Sequence, residues 1–185
     1  MIEVELKYPV ESLTGIKSRF QAIGAVAHLV NVQSDEYLND PIRDFAKQDK
    51  ALRIRSSDGR YYLTFKGPRL DPIAKIRLEL EIPLDSQASA GMMSLMFQQI
   101  GFDSVANVVK RRETMSVNWA GDCIEICLDE VEEVGTFVEL ELVVEEENEK
   151  ELAKQKLISL AEQVGLSDSI HTSYLELLLQ SRGEL

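Results

Sequence analysis

Charged residues two positions apart, with apolar residues between them, recur along this chain, and that recurrence limits its fold more than any other feature. It begins at Glu3-Val4-Glu5-Leu6-Lys7 and returns at Arg53-Ile54-Arg55, at Arg77-Leu78-Glu79-Leu80-Glu81, at Lys110-Arg111-Arg112 and at Glu139-Leu140-Glu141. Lys66 and Asp129 stand as single strong charges in similar surroundings. Successive side chains of a strand point to opposite faces, so each stretch reads as a strand with one charged and one apolar face. One such strand is ordinary at a half-solvated sheet surface. Several in one sheet, with helices over the apolar faces, leave the charged faces to look outward or, if the sheet closes, to converge. A barrel lined by Lys7, Arg53, Arg55, Lys66, Arg77, Lys110 and Arg112 with Glu3, Glu5, Glu79, Glu81, Asp129, Glu139 and Glu141 cannot be a dry core, because unpaired charges are too costly out of water. It would be a wet tunnel holding something both anionic and metal-bound.

The chain has 185 residues, 44% of them apolar, which suits one domain, 1–185, with a substantial core and no internal boundary. Its formal net charge of −12 argues against nucleic acid or an anionic membrane as partner, so any basic site must be local and enclosed. No apolar run approaches the roughly 20 residues of a membrane span, and a cytoplasmic location is expected. Cys123 and Cys127, four apart on an extended segment, would sit about 13 Å apart, beyond disulfide reach. With His28 and His171 isolated, a zinc site is not expected.

In chain order, Val10, Leu13, Ile16, Phe20 and Ile23 predict an amphipathic helix ended by Gly24. A strand follows from about His28 to Leu38, stopped at Asn39-Asp40-Pro41, and then a polar loop. Residues 51–56 and 61–66 form a hairpin around Ser57-Asp58-Gly59. After a loop through Asp71-Pro72, a long strand runs over 75–84. A Met-rich helix near 88–100 is expected to bury Met92, Met93, Met96 and Phe97. A second hairpin, 105–117 with 123–131, and a strand over 136–144 bring the set to eight, and helices over roughly 147–164 and 171–180 finish the chain.

Taken together, these residues resemble the CYTH superfamily of triphosphate tunnel metalloenzymes. Glu3-Val-Glu-Leu-Lys7 is similar to that family's ExExK signature. Asp35-Glu-Tyr-Leu-Asn-Asp-Pro41, Ala51-Leu-Arg-Ile-Arg55, Leu63-Thr-Phe-Lys-Gly-Pro68, Lys110-Arg-Arg112, Leu128-Asp-Glu-Val131, Gly135-Thr-Phe-Val-Glu-Leu-Glu141 and Ser173-Tyr-Leu-Glu-Leu-Leu178 follow in the family's order. The resemblance implies an α+β fold: an eight-stranded antiparallel β-barrel, or tunnel, with helices packed outside. It implies that Lys7, Arg53, Arg55, Lys66, Lys110 and Arg112 grip a linear triphosphate, with Lys7, Lys110 and Arg112 catalytic. Glu3, Glu5, Asp129, Glu139 and Glu141 would surround Mg²⁺ or Mn²⁺. Arg77 joins the phosphate ligands and Glu79 and Glu81 the metal carboxylates with less defined roles, since each also reads as a structural ion pair. Hard carboxylate oxygens suit such cations, and guanidinium forks suit phosphate.

Arg111 falls on the opposite strand face and reads as an outer residue, Tyr37 as a buried aromatic, and Trp119 carries no assignment. Pro41-Ile-Arg-Asp-Phe-Ala46 leading into Ala51-Leu-Arg-Ile-Arg55 looks most like the class IV adenylyl cyclase branch. Conversion of ATP to cyclic AMP and pyrophosphate is therefore the first expectation. A triphosphatase acting on tripolyphosphate, thiamine triphosphate or a nucleotide is the second, and a non-catalytic polyphosphate- or nucleotide-binding module the third. Oligomeric state stays open, a dimer included.

Overall fold

The computed structural model describes residues 2–68 and 75–185, with the backbone alone at 75 and 76. The eight strands are β1 (Ile2–Pro9), β2 (Val26–Asn39), β3 (Ala51–Ser57), β4 (Arg60–Lys66), β5 (Lys75–Leu84), β6 (Asp103–Trp119), β7 (Asp122–Val131) and β8 (Gly135–Val144). They close into one barrel in the order β1-β5-β4-β3-β2-β6-β7-β8, antiparallel at every junction. The helices are α1 (Leu13–Ala22), α2 (Gln87–Gln99), α3 (Lys150–Gln163) and α4 (Tyr174–Ser181).

Register sorts the side chains into inside and outside, because directly paired residues of antiparallel strands share a face. Lys7 pairs with Glu139, Glu139 with Cys127, and Arg112 with Asp129. On the other wall Tyr37 pairs with Arg53, Asp35 with Arg55, and Lys66 with Glu79. All of these face the lumen. The alternate residues Val4, Leu6, Ile126, Leu128, Val138 and Leu140 face outward and are fully buried with Phe20 of α1 and Leu157 and Leu160 of α3. This outer layer is the main core, each fully buried Leu or Phe contributing about 2 kcal/mol.

Ends and bounds follow local chemistry. The Ser12 hydroxyl accepts from the Gly15 amide to start α1, three residues later than the apolar spacing suggests, and Gly24, at φ +90°, turns the chain out of it. The Glu-rich stretch 145–149 includes a short 3₁₀ turn, Glu147–Glu149, before α3, its Glu149 carboxylate accepting from the Glu145 and Glu146 amides. Both cysteines are free, Cys123 exposed and Cys127 buried. No described helix is long and apolar enough to cross a membrane. The loop expected through Asp71-Pro72 lies outside the described residues.

The Met-rich helix corrects one expectation. Ala90, Met93 and Phe97 of α2 pack over Leu52 and Ile54, the outward residues of β3, but Met92 and Met96 are 65% and 52% exposed. With positions 90, 93 and 97 facing the sheet, positions 92 and 96 must face away, so apolar composition overstated the buried stripe.

Candidate active site

Twelve of the fourteen charged positions singled out in the sequence line one cavity of about 430 Å³ inside the barrel: Glu3, Glu5, Lys7, Arg53, Arg55, Lys66, Arg77, Glu79, Lys110, Arg112, Glu139 and Glu141. The other two fall elsewhere, each for a physical reason. Asp129 is fully buried behind the cations, accepting from Arg112 Nε at 2.7 Å and Nη2 at 2.6 Å, from Lys110 Nζ at 3.4 Å and from the Tyr174 hydroxyl at 2.9 Å. A carboxylate so fully engaged anchors the two cations and falls outside the carboxylate clusters that could hold a metal ion. Glu81 is exposed near one end of the lumen, where Thr64 donates to it at 3.1 Å, and lines a second cavity. Arg111 is exposed on the outer face, as its strand phase requires.

The carboxylates that converge are Glu5, Glu139 and Glu141, each presenting an oxygen within 4.8 Å of the others. Pairing of Glu5 with Glu141 and of Lys7 with Glu139 puts them side by side on β1 and β8. Burial pushes the Glu141 carboxyl up to about 8, with Arg112 opposing and Glu3, Glu139 and Glu5 adding repulsion. A divalent cation would relieve that crowding, and an all-oxygen set fits Mg²⁺ or Mn²⁺. Cys127 with Glu125 and Glu141 makes a second such group, in which burial raises the Cys127 thiol well above its ordinary value and the soft sulfur suits Mg²⁺ or Mn²⁺ less than an all-oxygen set does.

The cations form two walls. On one, Lys7 Nζ lies 3.2 Å from Glu139 Oε1 and 3.7 Å from the centre of the Tyr174 ring, and donates to the Thr172 carbonyl at 3.3 Å. Arg112 also pairs with Glu139, and with Glu141 at 3.5 Å. Burial, with Arg112 beside it, lowers the Lys110 ammonium below its ordinary value despite Asp129 and Glu139. On the other wall Arg55 makes a bidentate pair with Asp35 at 2.7 and 2.8 Å, and Arg53 meets the same carboxylate at 3.3 Å. Lys66 bridges Glu79 at 2.6 Å and Glu3 at 3.2 Å. Burial would push Glu79 up, but a hydrogen bond from Glu3 and the charges of Lys66 and Arg53 hold it near 2. Burial raises the Glu3 carboxyl, with Lys66 opposing and the hydrogen bond and charge of Glu79 adding to the rise.

Asp35 and Tyr174 carry no role in the sequence reading, yet both organise the site. Asp35 was legible in the polar alternation Asn31-Gln33-Asp35, which puts three polar side chains on the lumen face of β2. Tyr174 was legible in Ser173-x-x-Glu176: the Ser173 hydroxyl accepts from the Glu176 amide and the Glu176 carboxylate from the Ser173 amide, fixing Tyr174 at the first turn of α4. From there its ring enters the lumen among Tyr37, Val108, Val131 and Phe137. Tyr37 is buried, as expected of it.

A CYTH domain model matches residues 1–174. The chain belongs to the CYTH domain family. Among curated CYTH relatives, a Methanocaldococcus jannaschii protein provisionally named an adenylate cyclase is 34% identical over 179 residues, 96% of this chain and 98% of its own. The adenylate cyclase CyaB of Aeromonas hydrophila is 26% identical over 170 residues, 90% of this chain and 82% of its own. A solved Pyrococcus horikoshii structure superposes with a TM-score of 0.86 at 35% identity, covering 97% of this chain and 99% of that one.

Proposed function

We propose that this CYTH domain is a metal-dependent adenylyl cyclase that converts ATP to cyclic AMP and pyrophosphate. The observation that carries the reading is the convergence, in one cavity, of two fixed cationic walls and the Glu5, Glu139 and Glu141 cluster. The near full-length similarity to proteins named adenylate cyclases supports the choice of reaction.

Lys7, Arg53, Arg55, Lys66, Arg77, Lys110 and Arg112 hold the triphosphate, the guanidinium forks offering paired donors to phosphate oxygens. Lys7 and Arg112, paired with Glu139 of the carboxylate cluster, and Lys110, held with Arg112 on Asp129, neutralise charge at the reacting phosphorus. Glu5, Glu139 and Glu141, with Glu3 and Glu79 beside them, would hold Mg²⁺ or Mn²⁺. Once bound, that cation supplies Lewis-acid stabilisation of the attacking and leaving oxygens. The ribose 3′-oxygen bonds to the α-phosphorus, the bond from that phosphorus to the β-bridging oxygen breaks, and the hydroxyl proton ends on the departing pyrophosphate. Asp35 and Asp129 fix the guanidinium groups of Arg55 and Arg112 before substrate arrives, so little reorganisation accompanies the reaction. Tyr174 and α4 help keep water from the α-phosphorus, the step that separates cyclisation from hydrolysis.

The test is product identification with Mg²⁺ or Mn²⁺ and, separately, ATP, tripolyphosphate and thiamine triphosphate. Cyclic AMP with equimolar pyrophosphate is expected. Orthophosphate with the matching diphosphate and no cyclic product would replace the cyclase by a triphosphatase, because the same grip can present a terminal phosphorus to water.

A further inference from the structure

A second cavity of about 460 Å³ meets the first at Gln33 and Arg55, which line both. Its walls come from β2, β3, β4 and β5 beside the Ser57-Asp58 turn, and besides Arg55, Arg60, Asp58 and Glu81 they carry neutral polar groups. Asn31 and Gln33 line it, at 9% and 7% exposure, and the amide oxygens of both, Oδ1 and Oε1, are buried with no hydrogen-bond partner among the described residues. Asn31 spends its Nδ2 on the Ser57 hydroxyl at 2.8 Å, which turns its carbonyl oxygen away from that contact. Half-buried Tyr62 and the side chain of Leu29 add flat and apolar surface.

Buried acceptors left unpaired are costly and rare, and two in one cavity point to a missing donor. Arg55 and Arg60 balance Asp58 and Glu81 in this lining, so charge does not select its ligand, and a further phosphate, itself an acceptor, cannot supply the missing donor. A planar heterocycle with an exocyclic amine can, since amides complement an amine next to a ring nitrogen, and an aromatic wall suits a flat ring. Register places the amides next to the cationic wall without a charge of their own, Asn31 pairing with Arg112 and Gln33 with Lys110. We infer that this second cavity is the base pocket, taking an amine-bearing nucleobase such as adenine while the triphosphate occupies the first. This rests on the proposal above that a nucleoside triphosphate is the substrate.

The experiment titrates ATP, inosine triphosphate and tripolyphosphate into the protein in EDTA, which suppresses metal-dependent turnover, and repeats this with Gln33→Met, Asn31→Leu and Tyr62→Leu. Each variant's melting temperature is read alongside. Wild-type protein should bind ATP several-fold tighter than inosine triphosphate, which carries a carbonyl in place of the amine. The variants should lose tenfold or more in ATP affinity and less than twofold for tripolyphosphate. Tyr62→Leu, at a half-buried position, keeps the test alive if an amide variant does not fold. Parallel losses for ATP and tripolyphosphate would mean that the amides merely support the cations. Equal binding of ATP and inosine triphosphate, or no loss in any folded variant, would equally overturn the base pocket. Base-selective binding with no cyclic AMP formed under Mg²⁺ would leave the pocket standing and remove the cyclase. A wild-type protein that binds none of the three, in EDTA or with Mg²⁺, would remove both.

Discussion

Asp129→Asn tests whether the fully buried carboxylate behind Arg112 anchors the tunnel internally. The wild-type carboxylate takes two hydrogen bonds from the Arg112 fork and one each from Lys110 and the Tyr174 hydroxyl, with no exposure to water. Asparagine keeps the shape, removes the charge and turns one acceptor into a donor facing donors. Arg112 retains Glu139 and Glu141, so its charge is not orphaned, but Lys110 is left with less compensation. Breaking a buried pair from one side costs about 3 to 5 kcal/mol. The surviving partners put the expected loss near the lower figure, about 3 kcal/mol. Urea unfolding without metal measures it as a lower midpoint at unchanged slope. A loss below about 1 kcal/mol, together with weakened Mg²⁺ binding, would refute this reasoning and return Asp129 to the metal ligands.

Glu5→Gln should weaken Mg²⁺ or Mn²⁺ binding strongly, by calorimetry, while the metal-free melting temperature stays level or rises, because it relieves the crowding of Glu5, Glu139 and Glu141. Arg55→Ala and Lys66→Ala should each weaken triphosphate binding by about 2 kcal/mol or more, whereas Arg111→Ala, on the outer face, should change it little. Asp35 carries a clear pH signature. Burial alone would raise its carboxyl, but Arg53 and the Arg55 fork hold it well below the ordinary range. Its stabilisation is therefore complete above about pH 4, its unfolded value, and is lost as pH falls toward the folded value. Chemical unfolding of Asp35→Asn should show a shallower decline in stability than wild type between about pH 4 and pH 2, and equal slopes would contradict the assignment.

The barrel was legible because its signal is local: period-two alternation survives in sequence, and register then turns shared phase into a shared wall. Partnership across the lumen was not legible in the same way. Asp129 and Glu139 are both lumen-facing acids, yet one is wholly engaged by Arg112, Lys110 and Tyr174 and the other joins the carboxylate cluster. That difference depends on strand stagger, which no single strand encodes. Glu81 shows the same limit, since correct phase placed it inward while its position toward one end of the lumen left it exposed. Asn31, Gln33 and Tyr174 escaped notice because neutral side chains do not stand out against a charged pattern.

The seven basic and seven acidic side chains singled out in the sequence cancel in number, so the formal charge of −12 belongs to the rest of the chain. A free polyanion therefore approaches a repelling exterior and reaches attraction only at the mouth. Inside, Arg53, Arg55 and Arg112 each already have a carboxylate partner, so an anion bound there would compete with Asp35 and Asp129 for their donors. Pairing with a divalent ion lowers a polyanion's net charge, so a metal-complexed anion should cross that exterior more readily than the free one.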